Sequence, residues 1–402
     1  MIKKSMLHIK LSTCKTILAS KYWLIVTLCG AFFTFFALNR GGVVVFIDIS
    51  ACFLIINIIT GDYNIKNIPT RYWIISAACV WLLVVSIIVS PQESHSKWMA
   101  NVLRMLCIIF SIHYLTQKKL NNRILALFPV ILSLTVCWHF TAYYVWGMPY
   151  GTFSNLHYLA TFTALSIPIC VYYFFNTTSW YKFVYIPITI MDGDLLLQTC
   201  SRPAIMGIIV GALFAIAFLT NGRFRWAGIL SIFLILSGLF LTKYAQVAPR
   251  FKELFFNLTK EERVDLWSHA LSKINDNSFA NWLFGHGIGW FPITYVGDSS
   301  STKLIFPHLH FLEITYLNGI IGVIIIFGGL SLVFFLMLNR IKQSSSINHL
   351  MLLKCLSVTL IIWSIHSGIT LPFYSKYSLY PLSFILGIAF ILIGKNQKMI
   401  QT

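Results

Sequence analysis

Ile320-Ile321-Gly322-Val323-Ile324-Ile325-Ile326-Phe327-Gly328-Gly329-Leu330-Ser331-Leu332-Val333-Phe334-Phe335-Leu336-Met337-Leu338 is nineteen residues long and carries no charge. As a helix rising 1.5 Å per residue it covers about 28 Å, close to the ~30 Å hydrocarbon core of a bilayer. The apolar run reaches back to Phe311, with Glu313 its one charged residue. Eleven further runs read the same way, about 22–38, 43–59, 72–89, 102–116, 124–146, 157–175, 182–200, 203–220, 226–242, 350–371 and 378–394. The run at 102–116 is short and carries Arg104, and the one at 182–200 is interrupted by Asp192-Gly193-Asp194. The 402 residues are 57% hydrophobic and only 10% charged. A soluble chain has roughly 25% charged residues. That difference excludes a water-soluble enzyme, a disordered chain and a secreted disulfide scaffold. The expectation is an all-α polytopic integral membrane protein of about 12 transmembrane helices.

The distribution of charge gives the orientation. Thirty Lys and Arg against twelve Asp and Glu leave a net charge of +18. With the N-terminus inside, seventeen of the thirty fall on the cytoplasmic side and five at the short outer connections and span ends. This is the positive-inside pattern, so the charge does not imply nucleic acid. An even number of spans then returns the C-terminus to the cytoplasm. The first run has a basic flank but no small-x-small cleavage site after it, and is read as a retained span. Three regions follow: spans one to nine over 1–242, an outer loop over 243–310, and spans ten to twelve over 311–402. Seven of the twelve acids lie in or at the edge of that loop. The nine cysteines are widely spaced with no C-x-x-C, and read as small apolar packing residues.

The outer loop is patterned. Glu261 to Ile274 reads as an amphipathic helix with Val264, Trp267, Leu271 and Ile274 on its apolar face. Such a helix either lies on the membrane surface or carries chemistry. Gly285-His286-Gly287-Ile288-Gly289 lacks the strand–helix unit of a dinucleotide site. It reads instead as a glycine-permitted turn that brings backbone close to a ligand or a helix. Phe306-Pro307-His308-Leu309-His310-Phe311-Leu312-Glu313 then leads into span ten.

Ionisable residues at the membrane boundary are the functional candidates. Arg202, in Ser201-Arg202-Pro203, opens a span. There it serves either a phosphate, beside free helix N–H groups, or lipid headgroups. Arg263 stands among Glu261, Glu262 and Asp265, either in a local ion pair or at a site. His308 and His310 are two apart, about 200° around a helix, so they cannot chelate one metal from regular geometry. No third ligand has zinc spacing, and no metal is expected. Pro307 marks the start of span ten, so His308 is expected in its first turn, with its pKa lowered by the helix N-terminus. His310 is expected on another face, toward headgroups or a neighbouring span. Asp192 and Asp194 are ~12–15 Å deeper than Arg202 on a continuous helix, which is far for a shared diphosphate.

These features in this order resemble the O-antigen ligase family of lipopolysaccharide biosynthesis. The features are a late periplasmic loop, Ser201-Arg202 before a span, and Arg263 followed by Trp267. A Gly-x-Gly-x-Gly turn, Pro307-His308 with Leu312-Glu313, and Asn318-Gly319-Ile320-Ile321-Gly322 complete the series. The resemblance covers about residues 198–322. It implies a GT-C-like glycosyltransferase of the bacterial inner membrane, with both termini cytoplasmic and the site periplasmic. The implied reaction is metal-independent, inverting transfer of O-antigen polysaccharide from undecaprenyl diphosphate to lipid A–core. No cofactor is implied, and membrane lipids are the other partners. The family's arginine pair maps onto Arg202 and Arg263, and its histidine onto His308 as general base. Ser201, Trp267, Gly285, Gly287, His310 and Glu313 are the expected substrate contacts. The family's Pro-His-Asn is Pro307-His308-Leu309 here. Two other readings compete. An O-antigen polymerase has two sizeable periplasmic loops, whereas the 147–156 connection here is short. A flippase or transporter of lipid-linked glycan needs charges deep in several spans, and Asp48, Asp192 and Asp194 are the clear ones.

Overall fold

The computed structural model describes residues 26–30, 42–89, 96–117, 121–149, 153, 155–219, 262–289, 295–296, 303–304, 307–343 and 347–394. The helices before the loop are α1 (Gly42–Ile59), α2 (Thr70–Val89), α3 (Ser96–Gln117), α4 (Asn121–Tyr144), α5 (Leu156–Asn176), α6 (Tyr185–Gln198) and α7 (Arg202–Phe214). A π turn over Ala215–Leu219 continues α7. The loop carries α8 (Glu262–Asn275) and α9 (Phe279–Phe284), then a two-residue ladder of β1 (Tyr295–Val296) and β2 (Lys303–Leu304). The last helices are α10 (His310–Gln343), α11 (Ile347–Thr370) and α12 (Lys376–Gly394).

Among the described residues seven helices are long and apolar enough to cross a membrane: α2, α3, α5, α7 with its π turn, α10, α11 from His349, and α12. The chain is therefore an all-α membrane protein. Of the twelve expected spans, 226–242 lies outside the described residues, and 22–38 is described only over the helical residues 26–30. The boundary expected at 242/243 also lies outside them. The expected span at 182–200 is a 3₁₀ turn over Trp180–Val184 followed by the 14-residue α6. Fourteen residues rise only about 21 Å, short of the hydrocarbon core. Asp192-Gly193-Asp194 does not interrupt that helix. Both carboxylates have partners across helix interfaces: Asp192 accepts from Ser166 of α5, and Asp194 from Tyr144 of α4.

Helix directions alternate along the described chain. Thr161 and His366, then Pro168 and Cys355, pair α5 antiparallel to α11. Asp48–Arg104 and Asn57–Tyr114 set α1 parallel to α3. Asn101–Tyr374 and Gly387 against Ile112 set α3 parallel to α12. Gly207 faces the Ile362 backbone, and Gly211 faces the side chains of Ile362 and Val358. This small-xxx-small stripe lets α7 and α11 approach closely, again antiparallel. One end of the bundle therefore gathers the N-termini of α5, α7, α10 and α12 with the C-terminus of α11.

At that end α10 is bent. Gly319 has φ +64° and ψ −174° inside the 34-residue helix. A Cβ there would meet the Leu283 carbonyl oxygen at 2.2 Å, so only glycine lets α9 come this close.

Candidate active site

Three segments converge at the bundle end: α8, the turn Pro307–Leu309, and the C-terminus of α11. The inner face of α8 is Leu266, Ala270 and Ile274, all buried, with Trp267 half-buried beside them. This corrects the expected face, because Val264 and Leu271 are 38% and 48% exposed. The buried stripe follows i, i+4, i+8 from Leu266. Arg263 lies one turn before it and is half-buried.

Trp267 ties the segments together. Its indole Nε1 donates to the Pro307 carbonyl at 2.8 Å. The next residue, His308, has φ +49° and precedes α10, which begins at His310. The expectation that His308 occupies the first helical turn is therefore corrected: it sits in a left-handed bend. Its Nδ1 lies 2.9 Å from the carbonyl oxygen of Thr370, the last residue of α11. A C-terminal helix carbonyl has no onward partner within its own helix. A carbonyl can only accept, so Nδ1 carries the proton and Nε2 holds the lone pair of the neutral ring. Burial pushes the His308 pKa below the ordinary histidine value. The Thr370 carbonyl opposes this, and the Arg263 guanidinium adds to it. The direction matches the expectation, but the first cause is burial, not a helix N-terminus.

Arg263 is within electrostatic reach of His308, His157 and His366. The last two were not singled out in the sequence. Each is a polar residue near the end of an apolar run, and only the α5–α11 pairing brings them together. His366 Nε2 lies 2.9 Å from Thr161 Oγ1 and 3.3 Å from the His157 carbonyl oxygen.

The other expected site residues divide between the site and its scaffold. His310 is 3% exposed and packs between the rings of Trp363 and Phe373. It faces neighbouring helices rather than headgroups, and its Nε2 has no hydrogen-bond partner. Glu313, 1% exposed, accepts the Phe373 amide at 2.9 Å. It thereby fixes the α11–α12 connection. Gly285 and Gly287 have φ +77° and +89°. The amides of His286 and Gly287 donate to the Tyr316 and Leu317 carbonyls at 3.0 and 2.8 Å. That turn meets a helix, which is one of the two partners its glycines anticipated.

Arg202 opens α7 and is half-buried. Ser201 is the N-cap but makes no side-chain cap bond, and its Oγ is buried without a partner. In the antiparallel pair, Gly207 is level with Ile362. Five residues further along, about 7.5 Å, Arg202 reaches the level of Ser367 to Thr370. Arg202 and His308 therefore share the same end of α11. The described residues contain no group of three His, Cys, Asp or Glu able to hold a metal ion. The end thus offers two guanidinium groups and a neutral imidazole with an open lone pair. That combination suits the loss of an anionic leaving group and the uptake of a hydroxyl proton. No protein family and no curated protein sequence matches this chain.

Proposed function

We propose that this protein is an O-antigen ligase of the bacterial inner membrane. In this reading it transfers O-antigen polysaccharide from undecaprenyl diphosphate to lipid A–core at the periplasmic face. The observation that carries the reading is the pairing of Arg263 with a tautomer-fixed His308. The Thr370 carbonyl holds the Nδ1 proton, and Nε2 stays free to act as base. The acceptor hydroxyl attacks the anomeric carbon and gives its proton to His308 Nε2. The bond from that carbon to the diphosphate oxygen breaks, and the diphosphate leaves with the electron pair. Arg202 and Arg263 meet its charge. Preorganised groups of this kind contribute about 3–4 kcal/mol each to the transition state. A single displacement inverts the anomeric centre. The positive-inside bias supports an outward-facing site, since with the N-terminus inside the bundle end with Arg202 and His308 would face outward.

Lipopolysaccharide from cells lacking the protein tests the reading on a gel. A ligase predicts loss of the long-chain ladder while lipid-linked polymer accumulates. Loss of the polymer itself would point to a polymerase instead.

A further inference from the structure

The backbone of His157, in the first turn of α5, is held by three hydrogen bonds. Its amide donates to Asn155 Oδ1 at 2.8 Å, and its carbonyl accepts from Thr161 Oγ1 at 2.7 Å and His366 Nε2 at 3.3 Å. The proton roles follow. Thr161 gives its hydroxyl proton to the His157 carbonyl, so its oxygen accepts from His366 Nε2, which must carry the ring proton. His366 is itself fully packed, at 1% exposure.

The imidazole of His157 contrasts with its backbone. Nδ1 is buried and has no hydrogen-bond partner. Among the described residues, the groups acting on the ring are Arg263, His308 and His366. The next residue, Tyr158, stacks at 3.4 Å on Tyr377, whose ring carries Lys376 Nζ at 5.0 Å. The N-terminus of the 21-residue α5 adds its positive dipole end. A fixed ring nitrogen without a partner, beside the Arg263 guanidinium and a helix N-terminus, is complementary to an anion when it carries the ring proton.

We infer that His157 is a further contact of the leaving diphosphate, its Nδ1–H donating to a phosphate oxygen that Arg263 also holds. Thr161 and His366 are the positioning residues that aim it. The inference rests on the ligase reading and adds a third side chain to its donor site.

The test uses the full chain in detergent micelles, with undecaprenyl diphosphate as ligand and phosphatidylglycerol as the headgroup control. Affinity is measured by calorimetry. Carbethoxylation of His157 by diethyl pyrocarbonate is read by peptide mass spectrometry. Undecaprenyl diphosphate should protect His157 and phosphatidylglycerol should not. His157→Phe should weaken diphosphate binding roughly 10- to 100-fold, the weight of a hydrogen bond to a charged group. His157→Gln, which keeps a donor, should restore part of it. In transfer assays the loss should fall on the donor KM, whereas His308→Ala lowers kcat. Equal protection by both lipids would overturn the inference, as would a folded His157→Phe with wild-type affinity. In either case the ligase reading would stand, provided the wild type binds the diphosphate. Failure of the wild type to bind undecaprenyl diphosphate would overturn both. Should His157→Phe not fold, the footprint on the wild type decides.

Discussion

The indole of Trp267 donates to the carbonyl of Pro307 at 2.8 Å, and Pro307 is the residue before His308. Trp267 stands one turn from Arg263 on α8. The helix carrying Arg263, the proposed counter-charge, is thus clamped to the bend carrying His308, the proposed base. Trp267→Phe keeps the ring and removes only the donor, a net loss of about 1 kcal/mol. Thermal melting should move little, while transfer falls severalfold because base and guanidinium are no longer fixed together. An unchanged transfer rate would separate the clamp from the chemistry.

His308→Ala should lower transfer by ~10²–10⁴-fold, the usual weight of a general base. His310→Ala should cost far less activity, since its ring lies between Trp363 and Phe373. The pH profile gives a second check. The base works as the neutral ring, and burial lowers its pKa, so activity is lost only as pH falls through a value below the ordinary ~6.5. A plateau reaching into that acidic range is the expected result. A midpoint above pH 7 would argue against His308.

Arg202→Ala and Arg263→Ala should each abolish most transfer while membrane insertion, read by fractionation, stays normal. Arg202→Lys should be partly active, because an ammonium cannot reproduce a planar bidentate fork. With arginines as counter-charge, EDTA should leave the wild-type rate unchanged. Full activity of either alanine variant would remove that residue from the mechanism.

Glu313 was expected as a substrate contact and is placed instead on the Phe373 amide. Glu313→Gln keeps a carbonyl acceptor and should retain activity. Glu313→Ala leaves that amide unpaired and should cost about 1–3 kcal/mol of stability. Melting in detergent distinguishes the two, and a dead but stable Gln variant would restore Glu313 to the chemistry.

Gly319→Ala combines a left-handed φ with a Cβ 2.2 Å from the Leu283 carbonyl oxygen. The strain alone is on the order of 1–3 kcal/mol, and the clash with backbone adds to it. Reduced yield and melting temperature are expected. A neutral result would show that α9 can move away from α10 without cost.

Hydropathy reads the long spans well, because a bilayer asks only for length and apolarity. It overestimates α6, where apolar residues continue through a 3₁₀ turn and the helix proper is too short. On α8 the sequence pattern places Trp267 and Ile274 correctly on the inner side but favours Val264 and Leu271, which are large and apolar, over Ala270, which is small. Only the neighbour it packs against shows that Ala270 is the buried position. Arg202, Arg263 and His308 stand out because each interrupts an expected pattern at a boundary. His157 and His366 do not, being separated by more than two hundred residues and joined only by the antiparallel pairing of their helices.

The Gly207 and Gly211 stripe has a consequence beyond packing. Arg202 is carried by α7, and the Thr370 carbonyl that orients His308 is carried by α11. The separation of counter-charge and base is therefore set by how closely those two helices approach, at Ile362 and Val358. That contact lies one to three turns below the reacting groups, among the lipid-embedded residues. A Cβ at Gly211 would sit 2.9 Å from Ile362 Cγ1, so even one methyl group there forces the Ile362 side chain or the helix pair to shift. In the proposed ligase, the spacing of the donor site would thus depend on a helix contact that touches neither sugar nor phosphate.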